Sequence, residues 1–168
     1  MTEFEEPHRE RIGDGNEQLL RPIISRWVVN GVVAPDAFLL STADKKDSNH
    51  LSIARGSATT PEVAYKARAE SIQKRCAAEN REYTPPIGVL SLSVTEVESV
   101  EVESAEGSTR QPLTVWDDSM NEGIPEDHGH IDYNEVPPSD KGAHIFAAKT
   151  LALRAQANGW KYGPFSNT

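Results

Sequence analysis

Cysteine is nearly missing from this chain: Cys76 is the single example in 168 residues. No intrachain disulfide can form, and a lone thiol fits a reducing compartment. Basic residues are outnumbered, with 17 Lys and Arg against 26 Asp and Glu, for a net charge of −9. Such a chain repels phosphate backbones and anionic lipid, which argues against nonspecific nucleic-acid binding and against a membrane surface. Long hydrophobic runs are absent too. The best stretch, VVNGVVAPDAFLL, is interrupted by Asn30, Gly31, Pro35 and Asp36. It falls short of the roughly 20 apolar residues that a spanning helix needs. The stretch MTEFEEPHRER has no apolar segment of the kind a secretory signal carries. These absences together predict a cytoplasmic protein. Recognisable phosphate loops, GxGxxG turns, CxxC pairs and nucleophile elbows are also missing. The acidic loop DDSMNEGIPED does not keep the ligand spacing of an EF-hand.

What is present points to one domain of the α+β class. Hydrophobic residues make up 37% of the chain, enough for a single core at this length. Residues 1–18 are charged and carry Gly13 and Gly15, which predicts a flexible acidic arm. Residues 19–159 hold the domain, and the aromatic stretch WKYGPFSNT, 160–168, forms a tail expected to fold back on it. Asn30-Gly31 predicts a tight hairpin between 23–29 and 32–40, with Pro35 splitting or edging the second arm. LSIAR, GVLSLSV, SVEVE and PLTVW read as short strands. In GVLSLSV the apolar residues Leu90, Leu92 and Val94 alternate, which predicts one buried and one wet face.

Two long helices are expected. Over 60–79, Thr59 and Thr60 offer caps, Pro61 suits the first turn, and Glu62 completes a capping box with Thr59. Val63, Ala64, Ala67, Ile72 and Cys76 follow at helical spacing, which makes Cys76 a small buried hydrophobe and not a nucleophile. The second helix is SDKGAHIFAAKTLALRAQANG, with Ser139 able to cap it and Gly159 to end it. The expected architecture is a mixed or antiparallel sheet of five or six strands with both helices packed on one face.

Chemistry concentrates in PEDHGHIDYNEVPP. On an extended strand, alternate residues point the same way, so His128, His130 and Asp132 project from one face. Two imidazoles and a carboxylate can hold a divalent ion such as zinc or manganese and leave a position for water. Gly129 lets another backbone approach closely, and Asp127 and Glu135 can serve as outer partners or bases. His50 and His144 are further imidazoles that the sequence does not place. The plainer alternative is a polar strand edge whose imidazoles bind carbonyls.

The string H-x-H-x-D is similar to the first metal motif of the metallo-β-lactamase fold. That motif continues with a further histidine where Tyr133 stands here, and only residues 133–168 follow. The local metal geometry is retained as an expectation and the family is not. In order along the chain, Arg26, Ser41-Thr42 and Glu135 resemble the ADP-ribosyltransferases. That resemblance implies Arg26 on the phosphates of NAD and Glu135 stabilising a ribosyl cation. Tyr133 stands where that family has an acidic or amide residue.

Two classes of function follow. The favoured one is a small acidic interaction or regulatory protein with a protein partner, of the immunity, antitoxin-like or phage-defence accessory type. Trp116, Trp160, Tyr162 and Phe165 are then candidate anchors. The alternative is an enzyme: a metal-dependent hydrolase on His128, His130 and Asp132, or an NAD-using transferase on Arg26 and Glu135. Convergence of the polar groups in one concave place favours the second class.

Overall fold

The alternating runs of the sequence become the strands of one antiparallel sheet. A computed structural model of the protein describes residues 8–103 and 107–165. In chain order the strands are β1 (Glu10–Arg11), β2 (Gln18–Ile23), β3 (Val28–Val29), β4 (Val32–Val33), β5 (His50–Arg55), β6 (Gly88–Ser93), β7 (Val102–Glu103), β8 (Thr109–Arg110), β9 (Thr114–Asp117) and β10 (His128–Asp132). The helices are α1 (Thr42–Lys46), α2 (Pro61–Ala78), α3 (Val94–Glu98) and α4 (Lys141–Ala157). Six strands form the main sheet in the order β1-β9-β10-β5-β2-β6. The pairs β3-β4 and β7-β8 stand apart as short hairpins. The α+β class, the antiparallel sheet and the single domain agree with the sequence expectation.

Neighbouring residues of a strand point to opposite faces, and β2 shows what each face meets. Leu19 and Ile23 join Leu51, Ile53, Leu90, Leu92, Val115 and Ile131 in the large core. Against that face lies α4, which buries Ala147, Ala148, Leu151, Ala152 and Ala155. Small side chains let the helix axis approach the sheet closely. Burial of each Leu, Ile or Val contributes about 1.5–3 kcal/mol relative to exposure. Leu20 points the other way, to Val89, Ala54, Ala64 and Tyr65, beneath α2. The two helices therefore divide between the faces, where the sequence suggested one shared face. For the same reason β6 has no wet side: Gly88–Leu92 is buried throughout.

Other departures are local. The arm joins the sheet at two residues: β1 pairs with β9 through Glu10–Asp117 and Arg11–Trp116, and Ile12 is buried. Residues 1–7 lie outside the described residues. Asn30 and Gly31, with φ of 52° and 77°, make the expected turn, but its ladder is two residues long on each side. Ser25–Trp27 and Pro35–Phe38 coil into single 3-10 turns instead of extending it. Thr60, not Thr59, caps α2, and Asp140, not Ser139, caps α4. Cys76 is buried on α2 as expected, but Val63 is exposed. The tail folds back through Tyr162, which bridges to Val89 and packs its ring at a tilt to Tyr65 and edge-on to Phe165. Residues 166–168 are not among the described ones. No helix is long and apolar enough to cross a membrane among the described residues.

Candidate functional site

The helix α2 packs on β2 and β6. Farther along the same face of the sheet, over β5, β10 and β9, the strands carry polar side chains. The register makes this a cross-strand cluster. Asp132 lies opposite His50 on β5 and Thr114 on β9, and His130 lies opposite Ser52 and Trp116. Alternation along β10 therefore does bring His128, His130 and Asp132 to one face. Gly129 between the histidines is tightly enclosed. A Cβ there would lie 2.8 Å from the Trp116 carbonyl oxygen and 2.9 Å from Ile53 Cδ1.

The three ligating side chains that converge are His50, His130 and Asp132, whose ligand atoms lie within 4.8 Å of one another. His130 and Asp132 are buried, at 2% and 5% exposure. The imidazoles of His50 and His130 stack at 3.7 Å with only 9° between their planes. His128 does not belong to this group. It turns instead to the loop after β9, with Nδ1 2.6 Å from Asp118 Oδ1 and Nε2 3.3 Å from Ser52 Oγ. The physical reason is reach: His50 sits directly opposite Asp132 on the neighbouring strand, closer than a residue four positions along β10.

Arg9 stands at the centre of the cluster. Its Nη1 donates to Asp132 Oδ2 at 2.6 Å and lies 3.1 Å from His130 Nε2 and 3.4 Å from His50 Nε2. Its guanidinium carbon lies over the Trp116 ring, 3.8 Å from the ring centre. One nitrogen with two hydrogens thus faces a carboxylate oxygen and two imidazole nitrogens, whose roles as donor or acceptor are set by their tautomers. If His130 Nδ1 donates to Asp118, its Nε2 is left as an acceptor. The cluster presents a socket for positive charge, filled here by a guanidinium nitrogen.

Asp118 ties the two β10 histidines together. Its Oδ1 meets His128 and its Oδ2 meets His130 Nδ1 at 2.9 Å. A turn in which the Ser119 N–H donates to Asp117 Oδ1 aims it over the strand. Burial pushes the Asp118 carboxyl up, but the hydrogen bonds from His128 and His130 prevail and hold it well below the usual range. His128 is raised, chiefly by its hydrogen bond to Asp118. Asp132 follows the same balance. Burial opposes ionisation, and the hydrogen bonds from His50, Arg9 and the Asn134 N–H overcome it, leaving the carboxyl well below its ordinary value.

The remaining expected residues lie elsewhere. Glu135 is exposed and pairs with Arg110 at 3.6 Å. Arg26 and Ser41 line a cavity on the β2–β5 side, and Glu135 is not among its lining residues. Ser41 caps α1, accepting from the Asp44 N–H. His144 stacks on Tyr133 and approaches the Pro137 carbonyl, apart from the cluster. Asp127 lines the same cavity as Arg26. Arg9, Asp118 and Trp116 were not singled out for the site from sequence. Nothing local marks Arg9, which is 123 positions from Asp132. Comparison with protein-family models, curated proteins and solved structures finds no match.

Proposed function

We propose that this protein is a small metal-dependent hydrolase whose ion sits on His50, His130 and Asp132. The observation that carries the reading is the convergence of those three ligand atoms within 4.8 Å on adjacent strands. Two imidazoles and a carboxylate leave coordination positions for water and substrate. A bound divalent ion lowers the pKa of its water and so makes a nucleophile at neutral pH. Asp118 on His130 Nδ1 is the kind of outer carboxylate that orients a ligating imidazole. The ion would take the place of Arg9 Nη1, and one of the stacked rings would tilt, since parallel rings aim their lone pairs side by side. Arg9 is one-third exposed and precedes the edge strand β1, so an outward turn of its side chain would vacate the position.

The test is metal content and metal-dependent melting of untagged protein. Saturating zinc or manganese, about a hundredfold above Kd, is expected to raise the Tm by roughly 5–10 °C. The rise should vanish in His130→Ala and persist or grow in Arg9→Gln, which removes the competing cation. No ion in the purified protein and no shift in either protein would sink the reading.

A second reading, an interaction or regulatory protein, is favoured by one feature. Ile145, Phe146 and Leu153 of α4 and Val29 and Val32 of the hairpin are all exposed. Gln156 holds the two elements together through Val33 N–H and the Gly31 carbonyl. Apolar side chains grouped this way suit a protein partner.

A further inference from the structure

A cavity of about 790 Å³ lies beside the histidine cluster, walled by β2, β5, α1 and α2. Arg21, Arg26, Arg68 and Arg75 all line it, in a chain whose overall charge is −9. None of the four has a carboxylate within 4.0 Å among the described residues. By contrast, Arg9, Arg11, Arg55, Arg81 and Arg110 each pair with an acid. The cavity arginines are also close enough to repel one another: Arg68 bears on Arg21, and Arg75 and Arg26 bear on Arg68.

Arg21 is the most telling of the group. Its side chain is half-buried and donates from Nε to the Ala37 carbonyl at 3.0 Å and from Nη1 to the Ser52 carbonyl at 2.8 Å. Nη2 has no protein acceptor among the described residues. Burial lowers its pKa to about 10, so the group remains a cation at neutral pH. Asp44 offsets part of that charge from beyond pairing distance, and a buried guanidinium with no carboxylate in direct contact is costly unless something else supplies a counter-charge.

Three aspartates also border the cavity, Asp36, Asp44 and Asp127. Asp44 is already engaged by the Ser41 N–H at 2.8 Å. Four arginines against three carboxylates leave the lining positive, and the carboxylates sit beyond pairing distance. Guanidinium groups bind phosphate bidentately, better than any other side chain does. The volume suits a ligand of nucleotide size, and Trp27 and Leu39 in the lining offer a surface for its organic part.

We propose that this cavity binds a phosphorylated small molecule, with its phosphate oxygens on Arg21, Arg26, Arg68 and Arg75. The site is independent of any metal on His50, His130 and Asp132. It shares a wall with that cluster nonetheless, because His128 and Ser52 line the cavity and His128 is joined through Asp118 to His130.

The experiment is calorimetric titration of EDTA-treated protein with inorganic pyrophosphate, ADP and citrate, so that no metal contributes. Pyrophosphate and ADP are expected to bind, more weakly as salt rises. Arg68→Gln and Arg26→Gln should each weaken binding by about tenfold or more. Arg81→Gln, whose partner is Glu79 outside the cavity, should leave it unchanged. Far-ultraviolet circular dichroism and a melt establish that each variant is folded. Absence of binding by the phosphate probes overturns the proposal. So does binding that survives both cavity variants, and so does citrate binding as tight as pyrophosphate, which would make the cavity a general anion trap.

Discussion

Asp118 serves two histidines with one carboxylate, and pH reports on that arrangement. The His128 pKa is raised above its ordinary 6.5. Its stabilising contribution is complete below that value and fades as pH climbs through the folded pKa. The Asp118 carboxyl is lowered below its ordinary 3.8, so its contribution is present above 3.8 and is lost as pH falls. The pair stabilises most in the window between. Asp118→Asn should cost about 1.5–3 kcal/mol in that window, the range for a hydrogen bond to a charged group. Urea unfolding at about pH 5.5 and about pH 9 checks this, with the smaller loss expected at the alkaline end. An equal loss at both would assign Asp118 to packing alone. At this scale the sequence was half legible. Period-two alternation put His130 and Asp132 on one face, but the partner that displaced His128 was set by strand register. Register depends on which strands pair, and neither HLSIAR nor HGHID says that it pairs with the other.

Helices α2 and α4 are alike in length and in their alanines, yet they do different work. The alanines of α4 lie against the sheet, and six of its residues are buried. On α2 only Ala64 and Cys76 are. Ala148→Leu should therefore overpack the interface and cost about 1–3 kcal/mol. Ala77→Leu on the exposed side of α2 should stay within about 0.5 kcal/mol of the parent. Chemical denaturation of the two variants measures the contrast, and equal effects would mean that α4 does not lie close on the sheet. The existence of both helices and of the strands around 51–55, 88–93 and 114–116 was legible, because caps, prolines and alternation act within a few residues. Val94 was expected to end a strand, and residues 95–98 were assigned no element, where the structure has the helix α3 (Val94–Glu98). That helix is set by Ser93 and Glu96, which form a reciprocal capping box. Ser-x-x-Glu was present in the sequence as a signal and was overridden by the alternation before it. The division of the helices between faces was not legible, because α2 uses Val89, on the side of GVLSLSV expected to be wet, and Leu20, in a strand Gln18–Ile23 that the sequence did not mark.

For the whole molecule, charge of one sign and charge of the other occupy different places. The net −9 lies across the surface, and four unpaired arginines are gathered at one cavity. A long polyanion meets the first and a small one reaches the second. The protein should therefore show no binding to a short DNA duplex at about 0.15 M salt, where surface fields are screened beyond about 8 Å. Fluorescence anisotropy with a labelled duplex tests this, and saturable binding lost in Arg26→Gln would show the cavity to be open to polymers. The composition made the first half of this visible. The second half was hidden because Arg21, Arg26, Arg68 and Arg75 are scattered over a strand, a 3-10 turn and two turns of a helix.

The cluster built around Arg9 also has an order in time. Arg9 and His50 leave the ribosome well before Asp118, His130 and Asp132, and Arg9 is separated from Asp132 by 123 positions. The strand that follows it, β1, pairs with β9 at the edge of the sheet, so Arg9 has no place to settle until β9 exists. While the chain grows, His50 meets neither of its two companions. Whatever cation finally occupies the socket, guanidinium or metal, is chosen only after the last strand of the sheet has been made, and that choice falls to the finished protein and not to the nascent one.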